Sequence, residues 1–399
     1  MKHLLILFTT FLSLQLNAQV SFIKADWSSL KAKAKAEKKL IFIDAYTDWC
    51  GWCKVMDKET FADKQVADIM NRSFVATKLE MEKDVLGSKL SRKYIITSFP
   101  SFLILDEEGK LLHIIKGYQK PKDFIQTLEQ KLAQKEGVNR PGYNHANLDL
   151  VYPDFYVSAF AENGKRKFPT DSILNRYLDK QKDFFAEINA NVMFRFSHQL
   201  NDKYLSLLVS NESKYAQLFG AEEISDAIWS SVVSKMRKLA KDRNEKGFAE
   251  LEVKYGNVIA QNRENRFYFY SEYYKSTEKW ELYVSAIQDA KSSGIQLSNS
   301  FINSAAWELY EKCDNNELLA QAKEWMGTVV ETEKEYDYLD TYAALLFKTN
   351  NPKEAKEYAR LAIEAGKRAD KDVKATEELL LKIEKSLESG QPAGVIKVD

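Results

Sequence analysis

Cysteine is scarce in this chain: Cys50, Cys53 and Cys313 are the only three among 399 residues. That excludes a disulfide scaffold, which staples a small fold with several bridges. Histidine is nearly as rare. His113, His145 and His198 share no paired spacing, so a four-ligand zinc site built on Cys50 and Cys53 is short of partners. An excess of either charge is missing as well. Lys+Arg and Asp+Glu each total 58, which leaves no bulk field to hold nucleic acid or an anionic membrane surface. The densest basic stretch, KAKAKAEKK (31–39), reads as a solvated helix face. Long apolar runs are limited to one, Leu4 to Leu16, shorter than the roughly 20 residues of a membrane-spanning helix.

What is present is an ordinary globular composition, 45% hydrophobic and 29% charged, with length enough for two or three domains. The apolar run follows Lys2 and precedes Asn17-Ala18-Gln19. This is the layout of a secretory signal peptide over residues 1–19, cleaved after Ala18 or Gln19. The competing reading is a retained N-terminal anchor. With no Cys at the cleavage point, a lipid anchor is not expected. Cleavage predicts an exported chain without membrane insertion, periplasmic if the host is Gram-negative. Disulfides persist in such compartments.

Residues 20–137 alternate strand-like and helix-like segments. DWSSLKAKAKAEKK (26–39) has helical spacing behind a capping Asp26. LIFIDAY (40–46) is a nearly continuous apolar run, as in a strand buried on both faces. A helix to about Glu59, a helical DKQVADIMN (63–71), a strand SFVATKLEM (73–81) and a short helix SKLSRKYI (88–95) follow. SFLILD (101–106) and KLLHIIKG (110–117) flank a turn and predict an antiparallel hairpin. PKDFIQTLEQKLAQK (121–135) closes with a helix opening at Pro121. The order implies a mixed sheet covered by helices on both sides.

Cys50 and Cys53 fall just after the buried strand, at the start of a helix. Backbone N–H groups and the helix dipole stabilise an anion there, lowering a thiol pKa. Cys50, taken as the exposed outer residue, would attack a disulfide, and Cys53 would resolve the mixed disulfide. Zinc binding and a structural, non-cycling bridge remain the alternatives. Cys313 lies in an apolar helical pattern and reads as a core thiol. His113 sits in an apolar strand and reads as a satisfied or edge histidine.

Several of these residues resemble the thioredoxin family. Trp49-Cys50-Gly51-Trp52-Cys53-Lys54 is similar to the W-C-x-x-C-K redox motif. TSFPS (97–101) resembles the segment carrying a cis-proline, here Pro100, and Gly117 resembles the glycine after the last strand. YTDWCGWCKVMDKETFADKQV (46–66) is similar to the C-terminal periplasmic domain of the disulfide reductase DsbD. The resemblance implies that Asp44 is a buried acid assisting proton transfer and Lys78 its strand partner. It also implies that Trp49, Gly51, Trp52, Phe99 and Pro100 border the substrate. No metal or organic cofactor is implied, the disulfide being the redox centre. The family's more oxidising members carry a His between the cysteines; Trp52 supplies no charge, so a reductant or a middling potential is expected.

EGVNRPGYNHAN (136–147) marks a boundary, and 138–150 is expected as a linker. Residues 151–390 read as all-α. DSILNRYLDKQKDFFAEI (171–188) and EISDAIWSSVVSKMRKLAKD (223–242) have the pattern of single amphipathic helices. At a spacing of 37, Phe269, Ala306 and Ala343 align, as do Tyr273, Tyr310 and Phe347, and Ser285, Ala322 and Ala359. YLDTYAALLFKTNNPKEAKEYARLAIEAGK (338–367) resembles a tetratricopeptide repeat, whose period is about 34. The aromatic run RFYFYSEYY (266–274) reads as core, with a concave binding surface the alternative. A capping helix (373–389) and a tail (391–399) complete the chain.

The expected architecture is an α/β thioredoxin fold followed by an all-α, TPR-like helical-repeat domain. The expected activity is thiol-disulfide exchange with disulfide-containing or thiol proteins, served by a separate electron donor or acceptor protein. The rivals are a helical-repeat scaffold using the first domain as a platform, and a dimeric disulfide isomerase.

Overall fold

The computed structural model describes residues 19–134, 140, 142–163 and 165–390. The expected leader (to residue 18) and tail (391–399) lie outside the described residues. The chain divides into two compact units after Ser231.

The first unit opens on the α/β pattern. Helix α1 (Trp27–Glu37) is capped by Asp26, whose carboxylate accepts from Ser29 N at 3.0 Å. Strand β1 (Leu40–Tyr46), helices α2 (Gly51–Glu59) and α3 (Lys64–Ser73), strand β2 (Phe74–Glu80) and helix α4 (Val85–Tyr94) follow. Strands β3 (Ser101–Leu105) and β4 (Leu111–Lys116) and helix α5 (Pro121–Ala133) complete it. Strand order is β2-β1-β3-β4, with β1–β2 parallel and β1–β3 and β3–β4 antiparallel. The central β1 is buried on both faces, as its apolar run predicts. Alternation sends Ile41, Ile43 and Ala45 into a core with Leu30 of α1 and Leu90 of α4. Phe42 joins the opposite core with Met56 of α2, Val66 of α3 and Phe124 of α5. Its ring stacks on Phe102 at 5.6 Å and meets Phe124 edge-on at 6.4 Å. Asp44, in phase with Phe42, belongs to this second face.

The rest of the first unit is helical: α6 (Asp154–Ser158), α7 (Asp171–Leu178), α8 (Glu187–Arg195), α9 (Asp202–Ser210), α10 (Glu212–Phe219) and the start of α11 (Ala221–Lys241). Two expectations need correction here. The described residues of the segment expected as a linker over 138–150 are bonded to the first unit. Its Tyr143 is buried, and Tyr143 Oη donates to Asn191 Oδ1 at 2.8 Å. Asn144 and Asn147 carbonyls each accept from Lys93 Nζ at 3.0 Å. The single helix expected over 171–188 is two helices. The first ends at Leu178, and in the stretch before the second Asp183 accepts from Phe185 N at 2.9 Å and Ala186 N at 3.2 Å, while its own carbonyl takes Asn189 Nδ2 at 2.7 Å. Short polar side chains that bond the backbone compete with a helix ladder.

The second unit stacks helices: α12 (Glu245–Ile259), α13 (Arg263–Ser276), α14 (Trp280–Ser292), α15 (Asn299–Lys312), α16 (Asn316–Thr332), α17 (Tyr336–Lys348), α18 (Pro352–Arg368) and α19 (Lys374–Ser389). The hairpins α13–α14, α15–α16 and α17–α18 start 36 or 37 residues apart. Phe269, Ala306 and Ala343 are each fully buried, as are Ala322 and Ala359. Ser285, aligned with those alanines, is exposed instead. Cys313 is buried among Leu309, Leu319 and Trp325, a core thiol as expected. The aromatic run divides: Phe269 and Tyr273 are core, while Arg266, Phe267, Tyr270 and Tyr274 line a cavity of about 650 Å³.

Candidate redox site

The site forms where β1 ends. Cys50 N donates to Thr47 O at 3.0 Å, turning the chain into α2. Cys50 is the N-cap of α2, and its Sγ accepts from Cys53 N at 3.0 Å. Sulfur thus takes the place of a capping oxygen, next to the unsatisfied N–H groups of the first turn. Those groups would stabilise a Cys50 thiolate in the reduced protein. Here Cys50 and Cys53 are joined, with Sγ–Sγ 2.06 Å. Cys50 was expected to be exposed, yet it is only 3% exposed, against 6% for Cys53. The oxidised Sγ is turned onto the first turn of α2, bonded to Cys53 and accepting its N–H.

Asp44 is buried on β1, directly in register with Lys78 on β2. Asp44 Oδ2 lies 3.1 Å from Lys78 Nζ, and Oδ1 has no hydrogen-bond partner among the described residues. Burial raises the Asp44 pKa to about 6, against the pull of Lys78. Lys78 also donates to Asp57 of α2. Burial opposes the Lys78 charge, but Asp44 and Asp57 outweigh it and its pKa rises. Asp57 escaped the sequence reading. Its signal was there: it lies four residues after Cys53, one turn along the same helix face.

The indole of Trp49 packs edge-on against Phe99 at 5.8 Å, and the Phe99–Pro100 bond is cis. Pro100 O accepts from Gly117 N at 2.8 Å. Gly117 has φ +84°, a conformation that favours glycine. Trp52 is 61% exposed and stacks on Tyr118 at 5.2 Å. Gly51 opens α2, and a Cβ there would meet nothing within 4 Å. Asp44 and Lys78 thus pair between β1 and β2, Lys78 reaches Asp57 on the helix that Cys50 caps, Trp49 stands against Phe99, and Gly51 and Trp52 are exposed at the start of α2.

Residues 28–132 match the family profile of a thioredoxin-like domain. The N-terminal domain is thioredoxin-like. Over 86 residues the chain is 30% identical to the thiol:disulfide interchange protein DsbD of Pseudoalteromonas atlantica, covering 21% of this chain and 14% of that protein. DsbD of Yersinia pestis is 28% identical over 103 residues, 24% of this chain and 16% of that protein. The chain thus spans less than a fifth of the length of these curated relatives. A solution structure from Bacteroides thetaiotaomicron, described as a candidate disulphide-isomerase, is 31% identical, covers 30% of this chain and 97% of its own, and has a TM-score of 0.28.

The thioredoxin-like domain carries one more feature that sequence reasoning missed. Glu82, just past β2, is a buried carboxylate with three donors. Trp49 Nε1 donates to Oε2 at 2.9 Å, Arg166 Nη2 to Oε1 at 2.7 Å and Asn163 N to Oε2 at 3.2 Å. Trp49, next to Cys50 in the chain, is therefore held through one carboxylate by chain far outside the domain. Neither Glu82 nor Arg166 stands in a motif, so the sequence offers no signal for the contact. His113, read as satisfied, is buried with Nε2 3.2 Å from Gln134 O.

Proposed function

We propose that the chain is an exported thiol-disulfide oxidoreductase that reduces or exchanges disulfides in partner proteins through Cys50 and Cys53. The observation that carries this reading is the Cys50–Cys53 disulfide across the first turn of α2, the helix whose Asp57 shares Lys78 with the buried Asp44, a carboxyl whose pKa is raised to about 6. In the reduced protein the Cys50 thiolate attacks a partner disulfide. A bond forms from Cys50 Sγ to one partner sulfur, and the other partner sulfur leaves as a thiolate and takes a proton. Cys53 then loses its proton to Asp44 and attacks Cys50 Sγ. The second partner sulfur leaves and is protonated, and the Cys50–Cys53 disulfide is restored. The partner gains two electrons and two protons, one proton from Cys53 by way of Asp44 and one from solvent. A Cys–Cys pair needs a separate dithiol protein to reload it.

Asp44 at a pKa of about 6 is a usable base near neutral pH. Lys78 favours its charged form, while the carboxylate of Asp57, which shares Lys78, opposes it. Trp49, Gly51, Trp52, Phe99 and Pro100 form the rim against which the partner backbone lies. On this reading residues 20–137 do the chemistry and 151–390, with TPR-like repeats, select the partner. Export rests on the leader-like first 19 residues; no helix among the described residues is long and apolar enough to cross a membrane.

The test is a redox titration of the purified mature protein against glutathione or dithiothreitol, read by Trp fluorescence. A reversible two-electron transition below roughly −200 mV supports a reductase, whereas one near about −120 mV identifies an oxidant. A pair that does not cycle at any accessible potential overturns the proposal. A scaffold role is the second reading, favoured by the aromatic cavity on the second unit, whose lining carries Arg263 and Arg266 together with Glu252 and Asp289. It requires that Cys50→Ser leave partner binding and biological activity intact.

A further inference from the structure

A cavity of about 370 Å³ lies within the first unit, beside the loop that leads into Pro100. Its lining includes Thr97, Ser98 and Lys116, together with Phe194 of α8 and Phe219 of α10. Arg140 lines it. This arginine is 4% exposed, and its Nε and Nη1 have no hydrogen-bond partner among the described residues. Tyr94, Tyr143 and Phe219 stand around the guanidinium, with ring centroids 5.3, 5.6 and 5.5 Å from Cζ. Rings stabilise a cation, but a buried N–H still requires an acceptor.

Among the described residues the local charges do not supply one. The buried carboxylate of Glu187 is bonded to Lys93, itself 1% exposed. Glu223 lies 3.6 Å from Lys116 Nζ, and Asp226 stands exposed at the rim. A second guanidinium on the cavity, Arg195, also has an Nε without a partner among the described residues. Burial pushes the pKa of His198, also on the lining, downward, so it leaves the balance unchanged near neutral pH. Among the described residues around the cavity, buried cations thus outnumber buried anions, an arrangement that is costly unless an anion is bound.

We propose that this cavity is a binding site for an organic carboxylate, with Arg140 holding the carboxylate and the aromatic and aliphatic walls holding an apolar body. Its volume falls within the roughly 300–1,000 Å³ of small-molecule sites. The site does not depend on the redox reading. The carboxylate has two possible sources, a free acid or a carboxyl group of a bound polypeptide reaching past Pro100.

The experiment titrates the full mature chain with phenylacetate by calorimetry at constant ionic strength. Its neutral counterpart 2-phenylethanol, inorganic phosphate and an end-capped Glu-Phe peptide are run in parallel. Saturable phenylacetate binding is expected, with 2-phenylethanol and the Arg140→Met variant each at least about tenfold weaker, the scale of one lost charged hydrogen bond. Phenylacetate binding without peptide binding assigns a free acid; peptide binding assigns a partner's carboxyl group. No saturable carboxylate binding, equal affinity for 2-phenylethanol, or binding of phosphate alone overturns the proposal. If Arg140→Met does not fold, the comparison of charged and neutral probes on the unaltered chain decides by itself.

Discussion

Replacing Asp44 by Asn should make the oxidised protein more stable and the enzyme slower. The folded-state pKa of Asp44 is about 6 against an ordinary 3.8, a value that already includes the attraction of Lys78. Between those two pH values the folded chain keeps a proton that the unfolded chain has released. Stability therefore falls as pH rises through that window, by about 3 kcal/mol in all. Asn cannot ionise, so the variant escapes the loss. Lys78 is not stranded, because Asp57 still accepts from it. The stability difference between Asp44→Asn and the parent should grow by about 2 kcal/mol from pH 4.5 to pH 7.5. The assay is urea unfolding of both oxidised proteins at the two pH values, comparing the transition of the redox domain. Taking the difference between pH values removes any fixed packing effect of the amide. A pH-independent difference, or one that shrinks toward pH 7.5, would refute the assignment of Asp44 as a buried acid with a raised pKa. The exchange rate should fall about 100-fold at pH 7.5, the low end for loss of a proton acceptor.

Three further outcomes are expected. Cys53→Ala should trap Cys50 in a mixed disulfide with a partner or with glutathione, visible as an added mass that dithiothreitol removes. Glu82→Gln keeps an acceptor for Trp49 but strips Arg166 of its counter-charge; it should cost about 1–3 kcal/mol and shift the emission of Trp49. Lys93→Met leaves the Glu187 carboxylate buried and unpaired, which should destabilise the first unit by about 3–5 kcal/mol in chemical denaturation at pH 7.

The redox half of this protein was largely legible because its signals are local. LIFIDAY is buried on both faces and is a strand over the predicted residues. Asp26 and Asp63 cap the helices that follow them. The Cys50–Cys53 spacing places both sulfurs on one turn. Illegible were contacts between residues far apart in sequence. Lys93 sits in a helix pattern where a Lys reads as solvated, yet Asn144, Asn147 and Glu187 close over it. The break between Leu178 and Glu187 was hidden because apolar spacing runs through it, while the turn after Leu178 and the backbone contacts of the Asp183 carboxylate separate the two helices. The exposure of Cys50 was misjudged because helix-start position says nothing of where an oxidised sulfur turns.

These distant contacts bear on how much chain the redox domain needs. A boundary at residue 137 follows the strand and helix pattern, but it cuts through its supports. It would remove Arg166 from Glu82, and with it one of the donors fixing the carboxylate that holds Trp49. It would leave Lys93 without Glu187, and the backbone carbonyl of Arg92 without the hydroxyl of Tyr156, which donates to it at 2.7 Å. It would also bare the carbonyl of Lys93 that accepts from Asn191 Nδ2 at 3.1 Å. Hydrogen bonds of this kind contribute about 1 kcal/mol each, and more where a charge is involved. A 20–137 fragment should therefore unfold at distinctly lower urea than a 20–231 fragment, and its Trp49 emission should be closer to that of solvated indole. Equal midpoints for the two fragments would show that the helices after residue 137 are passengers on the redox domain. A gap of several kcal/mol would make them part of the machinery that positions Trp49 beside Cys50.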